Sequence, residues 1–427
     1  MLNVIIKYLK GPDNWQHVAP KYFVLRKSYL YCACTSRYSR MFLSKQAHTS
    51  RLQHRIAVSV FFFISGFTFS SWASRIPSMQ QQYHLNDARL GTVLFIMPLG
   101  LIVTLPFTGV LINKVSSRVL MLWGALLYVL LLPLIPAAGK VWQLSFVLFI
   151  FGASRNFLNV SANAQSVSVQ AMYDKYIFAS FHGLWSLAGF AGATLGSFMI
   201  THNISTATHF YIVSATTLIL ILFSFSHTVK ETTKQQEKKP LIVLPDKRLV
   251  KLGVIAFCSM CCEGTMYDWS GVYFQKAVHA QASQVGWGFV AYMGTMTTAR
   301  FTCGRLVDRY GVKPVLQVSG CLITAGLLTA VTLPTMASAL TGFALTGLGV
   351  SFVVPLILSI SGRNSNMPVG SALAAVSIIS YLGFLLAPPV IGYIAELFSL
   401  RISFLLMAAF GIMIALLASK IKKAHAL

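Results

Sequence analysis

The sequence predicts an all-α membrane protein with twelve transmembrane helices in two pseudo-symmetric six-helix halves. Three observations predict it. The 427 residues are 56% hydrophobic and only 10% charged, where a soluble domain carries about 25% charged residues. Apolar runs of about 20 residues recur along the chain, each long enough to cross a roughly 30 Å hydrocarbon core. Several sequence markers repeat at a single offset of 195 positions, as Gly109 and Gly304 do. Continuous runs of this length exclude a β-barrel, whose strands read as short alternating segments.

The elements follow in order. Residues 1–50 are basic, aromatic and poorly patterned, which predicts a cytoplasmic extension; Met41 is an alternative start. Spans are predicted over 55–75, 90–112, 118–138, 142–164, 177–201 and 206–226, giving a first half over 51–226. The polar stretch HTVKETTKQQEKKPLIVLPDKRLVK predicts a cytoplasmic linker over 227–250. Further spans are predicted over 250–274, 284–303, 314–334, 337–360, 371–395 and 400–420, giving a second half over 251–421, and 422–427 form a cytoplasmic tail.

The net charge of +24 is that of a nucleic-acid binder, but its placement is not. Basic residues collect in the tail, the central loop and alternate short loops, the pattern of cytoplasmic loops. Both termini are therefore expected in the cytoplasm, with the lipid bilayer and not nucleic acid as the partner. Seven cysteines show no paired CxxC spacing, so no metal site or disulfide framework is expected. Without GxxxxGK[ST] there is no nucleotide-driven engine, and no enzyme constellation or cofactor motif is found.

The halves repeat. GVLINKVSSR (Gly109–Arg118) joins spans two and three, and GRLVDRYGVK (Gly304–Lys313) joins spans eight and nine. The same offset places Gly152 on Gly347; Gly189-Phe190 falls on Gly383-Phe384 and Trp72 on Trp269 with shifts of one or two. Duplicated halves place substrate sites near the bilayer midplane at their interface.

The twelve spans, the duplication and the G-x-L-x-D-R-x-G-x-K/R loop resemble the major facilitator superfamily over about residues 50–425. NVSANAQSV (Asn159–Val167), SFHGLWSLAG (Ser180–Gly189) and EGTMYDWSGVY (Glu263–Tyr273) look like its YbjJ-like branch, distantly akin to sugar permeases. The resemblance implies alternating access. It also implies a gating role for Gly109, Asn113, Lys114, Arg118, Gly304, Asp308, Arg309 and Gly311, with the aspartate latching the outward-open state. The second copy fits through Asp308 and Arg309. The first has Asn113 where Asp is expected and Ser116 where Gly is, which predicts a weaker latch in the first half. By charge alone Asp308 can meet a helix N-terminus or Arg305 and Arg309; basic residues that only set topology are the alternative.

Only ten acids are present, and eight fall in tails, loops, the linker or span ends. Glu263 and Asp268 remain inside span seven, where an ionisable group costs several kcal/mol by most estimates and faces the bundle interior. Glu263 lies about 18 Å along the span and Asp268 about 25 Å, and five residues of helix turn them about 140° apart. They are candidates for proton coupling, with an interhelical hydrogen bond (Glu263) and a wet helix end (Asp268) as the alternatives. In span four Arg155, Asn159 and Asn163 recur every four residues on one face, flanked by Asn156. Such a stripe is expected to line a cavity or to glue helices, and an Arg155–Glu263 pair is left open. His182, Trp185, Trp269, Tyr292 and Tyr381 complete the substrate candidates; interfacial anchoring is the competing account of the aromatics.

These observations predict a monomeric secondary transporter, proton-coupled, taking up a small polar solute such as a sugar or organic acid across a bacterial inner membrane. An exporter of amphipathic or toxic compounds is the second reading, and a membrane sensor without turnover the third.

Overall fold

A computed structural model describes residues 50–175, 177–230, 247–361 and 369–421. The sequence-predicted extension up to residue 49, residues 231–246 of the linker and the 422–427 tail lie outside the described residues, as does the Asn113 side chain. By internal contacts, the described residues from His54 onward form one unit.

Twelve helices of fifteen residues or more are described: α1 (Ser50–Ser74), α2 (Asp87–Lys114), α3 (Ser117–Leu131), α4 (Val141–Gln170), α5 (Phe178–Thr201), α6 (Thr206–Phe225), α7 (Lys247–Lys276), α8 (Trp287–Tyr310), α9 (Val312–Thr332), α10 (Met336–Ser361), α11 (Val369–Leu397) and α12 (Leu400–Ser419). Ten are long and apolar enough to cross a membrane. Of the other two, α3 has only 15 residues. α8 is long enough, at 24 residues, but Arg300, Arg305, Asp308 and Arg309 make it too polar.

Local chemistry sets the helix ends. Asn86 caps α2 by accepting from the Arg89 amide at 2.9 Å, and Asp87 then stands in the first turn, where the helix dipole favours an acid. Ser116, Ser205 and Ser399 cap α3, α6 and α12 in the same way. The predicted span 118–138 is interrupted: α3 stops at Leu131 and a four-residue turn, Leu134–Ala137, follows Pro133. A proline has no amide hydrogen to extend the ladder.

The two copies of the loop motif turn differently. Gly311, between α8 and α9, has φ +81°, a conformation that glycine adopts without steric cost. In the first copy Val115 is extended and Ser116 has φ −57°. No left-handed residue is needed there, which accounts for the serine.

Packing repeats as the sequence does. α4 rests on α2, where Gly152 abuts the Met97 carbonyl. α10 rests on α8, where Gly347 abuts the Tyr292 carbonyl. Met97 and Tyr292, like Gly152 and Gly347, are 195 positions apart. α3 packs on α4 and α6 as α9 packs on α10 and α12. Between the halves, α2 packs on α11 and α5 on α8.

The end of the bundle away from residue 50 and residue 419 is closed by polar links between the halves. Lys276 Nζ meets Asp87 Oδ1 at 2.6 Å, and the same oxygen accepts from Gln80 Nε2 at 2.8 Å. Glu396 accepts from Asn86 Nδ2 at 3.1 Å and from the Asp87 amide at 3.0 Å. Thr201 Oγ1 donates to the Ser283 carbonyl at 2.9 Å. Beneath these links Gly91 on α2 touches Pro388 and Gly392 on α11, backbone against backbone. At the opposite end the Gly109 and Gly304 positions face open space.

Candidate functional site

α7 runs unbroken from Lys247 to Lys276, so Gly264 does not bring the two acids together. Both are buried, Glu263 7% and Asp268 8% exposed. Tyr267, one turn beyond Glu263, donates its hydroxyl to Glu263 Oε1 at 2.8 Å. Arg300 of α8 approaches the same oxygen at 3.4 Å and donates from its other terminal nitrogen to Ser186 Oγ of α5 at 2.5 Å. One guanidinium thus joins the carboxylate of α7 to a hydroxyl of the other half. Burying these charges is tolerable because each is paired and hydrogen-bonded.

Aromatic rings enclose the pair. Tyr267 stands edge-on to Phe69 at 5.1 Å, Tyr292 at 5.8 Å, Phe289 at 6.1 Å, and Trp185 and Phe384 at 6.4 Å. Arg155 of α4 lies with its guanidinium 3.8 Å over the Phe69 ring. It does not pair with Glu263, which takes Arg300 instead.

The asparagine stripe divides. Asn156 is turned to α2, donating to Thr108 Oγ1 at 2.7 Å and Thr104 Oγ1 at 3.2 Å. Asn159 accepts from Ser65 Oγ of α1 at 2.8 Å, and Asn163 donates to the Asn159 carbonyl at 2.8 Å. Asn156 and Asn159 therefore tie helices together, and only Arg155 reaches the aromatic centre. His182 is exposed beside Phe62 and Phe178, at 5.2 and 5.3 Å between centroids. Trp269 and Tyr292 are fully buried, inside the bundle rather than at a membrane interface. Tyr381 is 41% exposed.

In the loop motifs, Arg118 donates to the Phe225 carbonyl at 3.1 Å and covers the Phe225 ring at 4.4 Å, which fastens α3 to α6. Lys114, Asp308 and Arg309 are exposed. Arg309 lies 5.3 Å over the Tyr310 ring, and Asp308 forms no ion pair among the described residues.

Arg300 is the residue that sequence reasoning missed. It lies three residues inside the predicted end of span eight at 303 and reads there as part of the basic loop. α8 continues to Tyr310, which places Arg300 inside the helix. Its signal was present: among the residues of α8 before the loop motif it alone is ionised.

The profile of the Major Facilitator Superfamily matches residues 58–279 and 252–425. The chain belongs to this family, and it is accordingly a multi-pass integral membrane protein of a transporter class. It is 29% identical over 362 residues to an uncharacterized MFS-type transporter of Yersinia pestis, covering 85% of this chain and 94% of that protein. It is 31% identical over 364 residues to the membrane protein MosC of Rhizobium meliloti, covering 84% and 88%. The structure of a variant of the nucleoside transporter NupG superposes with a TM-score of 0.70 at 15% identity, over 87% of this chain and 99% of that one. At that identity the likeness concerns the fold.

Proposed function

We propose that the protein is a proton-coupled secondary transporter that takes up a small polar solute by alternating access. It works as a monomer in a bacterial inner membrane with both termini in the cytoplasm. The observation that carries this reading is the Tyr267–Glu263–Arg300–Ser186 chain. A proton on Glu263 removes the charge that holds Arg300. Arg300 is also bonded to α5, so protonation acts directly on the α5–α8 contact between the halves. The far-end links through Asp87, Lys276 and Glu396 close one mouth, and Asp308, without an ion pair among the described residues, is ready to take a basic partner when the other mouth shuts.

The test is uptake into proteoliposomes under an imposed pH gradient, with radiolabelled uridine and hexoses as first solutes. The wild type is expected to accumulate solute against its gradient. Glu263→Gln is expected to abolish accumulation while retaining exchange. Uptake indifferent to the pH gradient refutes proton coupling. The ring-lined centre favours one second reading, export of amphipathic compounds, and in it the flux runs the opposite way.

A further inference from the structure

A cavity of about 300 Å³ lies among the far-end links, at the lower end of the size range of small-molecule sites. Asp87 of α2 is the only residue of the first half that lines it. Lys276 at the end of α7, His279 in the loop beyond, and Ser399 and Arg401 at the start of α12 line it from the second half. Lys276, His279 and Arg401 are exposed, so solvent reaches it. None of the residues around Glu263 borders it.

The lining is rich in donors and poor in free acceptors. Asp87 is its one carboxylate, and Asp87 Oδ1 already accepts from Lys276 at 2.6 Å and from Gln80 at 2.8 Å. The Lys276 ammonium carries three hydrogens, and that pair uses one. Arg401 donates from Nε and Nη2 to a single acceptor, the Val331 carbonyl, at 2.9 and 2.6 Å. Its Nη1 has no partner and its charge no carboxylate among the described residues. His279 makes no hydrogen bond or ion pair among them either. Ser399 accepts from the Ile402 amide at 3.4 Å, which leaves its hydroxyl hydrogen to donate. Two permanent cations thus line the cavity against one anion.

We infer that this cavity is a binding site for a phosphate group, held across the shut far mouth. A phosphate monoester carries about −1.5 to −2 charge at pH 7 and three acceptor oxygens. Arginine forks and lysine ammonium groups are its usual partners. A cation is turned away by Lys276 and Arg401, and a neutral solute leaves the Arg401 charge unmatched. In an alternating-access cycle Asp87 leaves Lys276 when the far mouth opens, so the lining is complete only in the shut state. A ligand that binds one state better shifts the population toward it. Phosphate here therefore holds the mouth shut and regulates opening. The inference goes beyond the transport reading and depends on neither its solute nor its coupling ion. The phosphate is that of a free solute or of a lipid headgroup.

Equilibrium binding of radiolabelled inorganic phosphate to the purified full-length protein, in a maltoside detergent with ionic strength held by chloride, tests the site without any flux. One saturable site per chain is expected. Arg401→Gln keeps an amide donor for the Val331 carbonyl and is expected to weaken binding at least tenfold. His279 has φ +55°, which asparagine tolerates, and His279→Asn is expected to weaken binding about threefold. Arg89→Gln removes an exposed arginine of the same end that does not line the cavity, and is expected to stay within twofold of wild type. No saturable binding, an unaffected Arg401→Gln protein, or an equal loss in Arg89→Gln overturns the site. Displacement of the label by glycerol 3-phosphate identifies a free solute; displacement by phosphatidic acid alone identifies a lipid. Spin labels at the exposed Gln81 and Gln281 read the consequence. Phosphate is expected to enrich the shorter interlabel distance in wild type and not in Arg401→Gln. Saturable binding without that enrichment overturns the regulatory role.

Discussion

Gly91→Ala is the sharpest test of how the far mouth closes. A methyl at Gly91 would lie 2.6 Å from the Pro388 carbonyl oxygen, 3.1 Å from the Gly392 Cα and 3.2 Å from the Pro389 Cα. All three are backbone or ring atoms of α11, so no flexible side chain can swing away. Overpacking of this kind costs about 1–3 kcal/mol. In the proposed alternating-access cycle the cost falls on the closed state alone, because there α2 and α11 part at this contact when the far mouth opens. An equilibrium between mouths therefore shifts by about 5- to 150-fold toward opening at the far end. Spin labels at Gln81 and Gln281, exposed positions on the two halves, report it as a longer interlabel distance by double electron–electron resonance. An unchanged distance distribution in a folded Gly91→Ala protein refutes the reasoning, since it shows that this contact does not set closure.

Other outcomes follow from the same geometry. Arg300→Ala strips Glu263 of its cation and is expected to destabilise the protein by about 3–5 kcal/mol; Glu263→Gln with Arg300→Met recovers most of that in thermal unfolding in detergent. Gly311→Ala places a side chain at φ +81° and is expected to cost about 1–2 kcal/mol, while Gly304→Ala, inside α8 with nothing within 4 Å, is expected to raise the unfolding midpoint, since a glycine inside a helix costs about 1 kcal/mol relative to alanine. Asn156→Val removes two interhelical hydrogen bonds but leaves both threonine hydroxyls donating within α2, so a loss of about 1–2 kcal/mol without a change in substrate affinity is expected.

The helices were legible because bilayer thickness imposes a length on apolar runs, and the duplication because backbone contacts need small residues at fixed places. Gly152 and Gly347 show this: each sits where a neighbouring helix carbonyl leaves no room for a side chain. The buried acids were legible by elimination, since Glu263 and Asp268 had no loop to occupy. Their partners were not. Whether Glu263 meets Arg155 or Arg300 depends on the rotation and depth of three helices, and a linear pattern holds neither. The asparagine stripe misled for a related reason. The residues of this stretch of α4 meet different helices, so Asn156 bonds to threonines of α2 while Asn159 and Arg155 meet Ser65 and Phe69 of α1. The break at Pro133 was written in the sequence and overridden by the apolar run around it.

The polarity of α8 bears on how the chain is made. As a lone segment leaving the ribosome, α8 presents an arginine near its middle, a penalty of about 2.5–3.5 kcal/mol on the insertion scale. By length and hydropathy the helix is not among the ten apolar enough to cross a membrane. The segment synthesised just before it, α7, carries the carboxylate that neutralises that arginine. The two are therefore expected to leave the translocon as a hairpin, each masking the other's charge. The residues that join the halves in the finished protein would then also admit α8 to the membrane during synthesis.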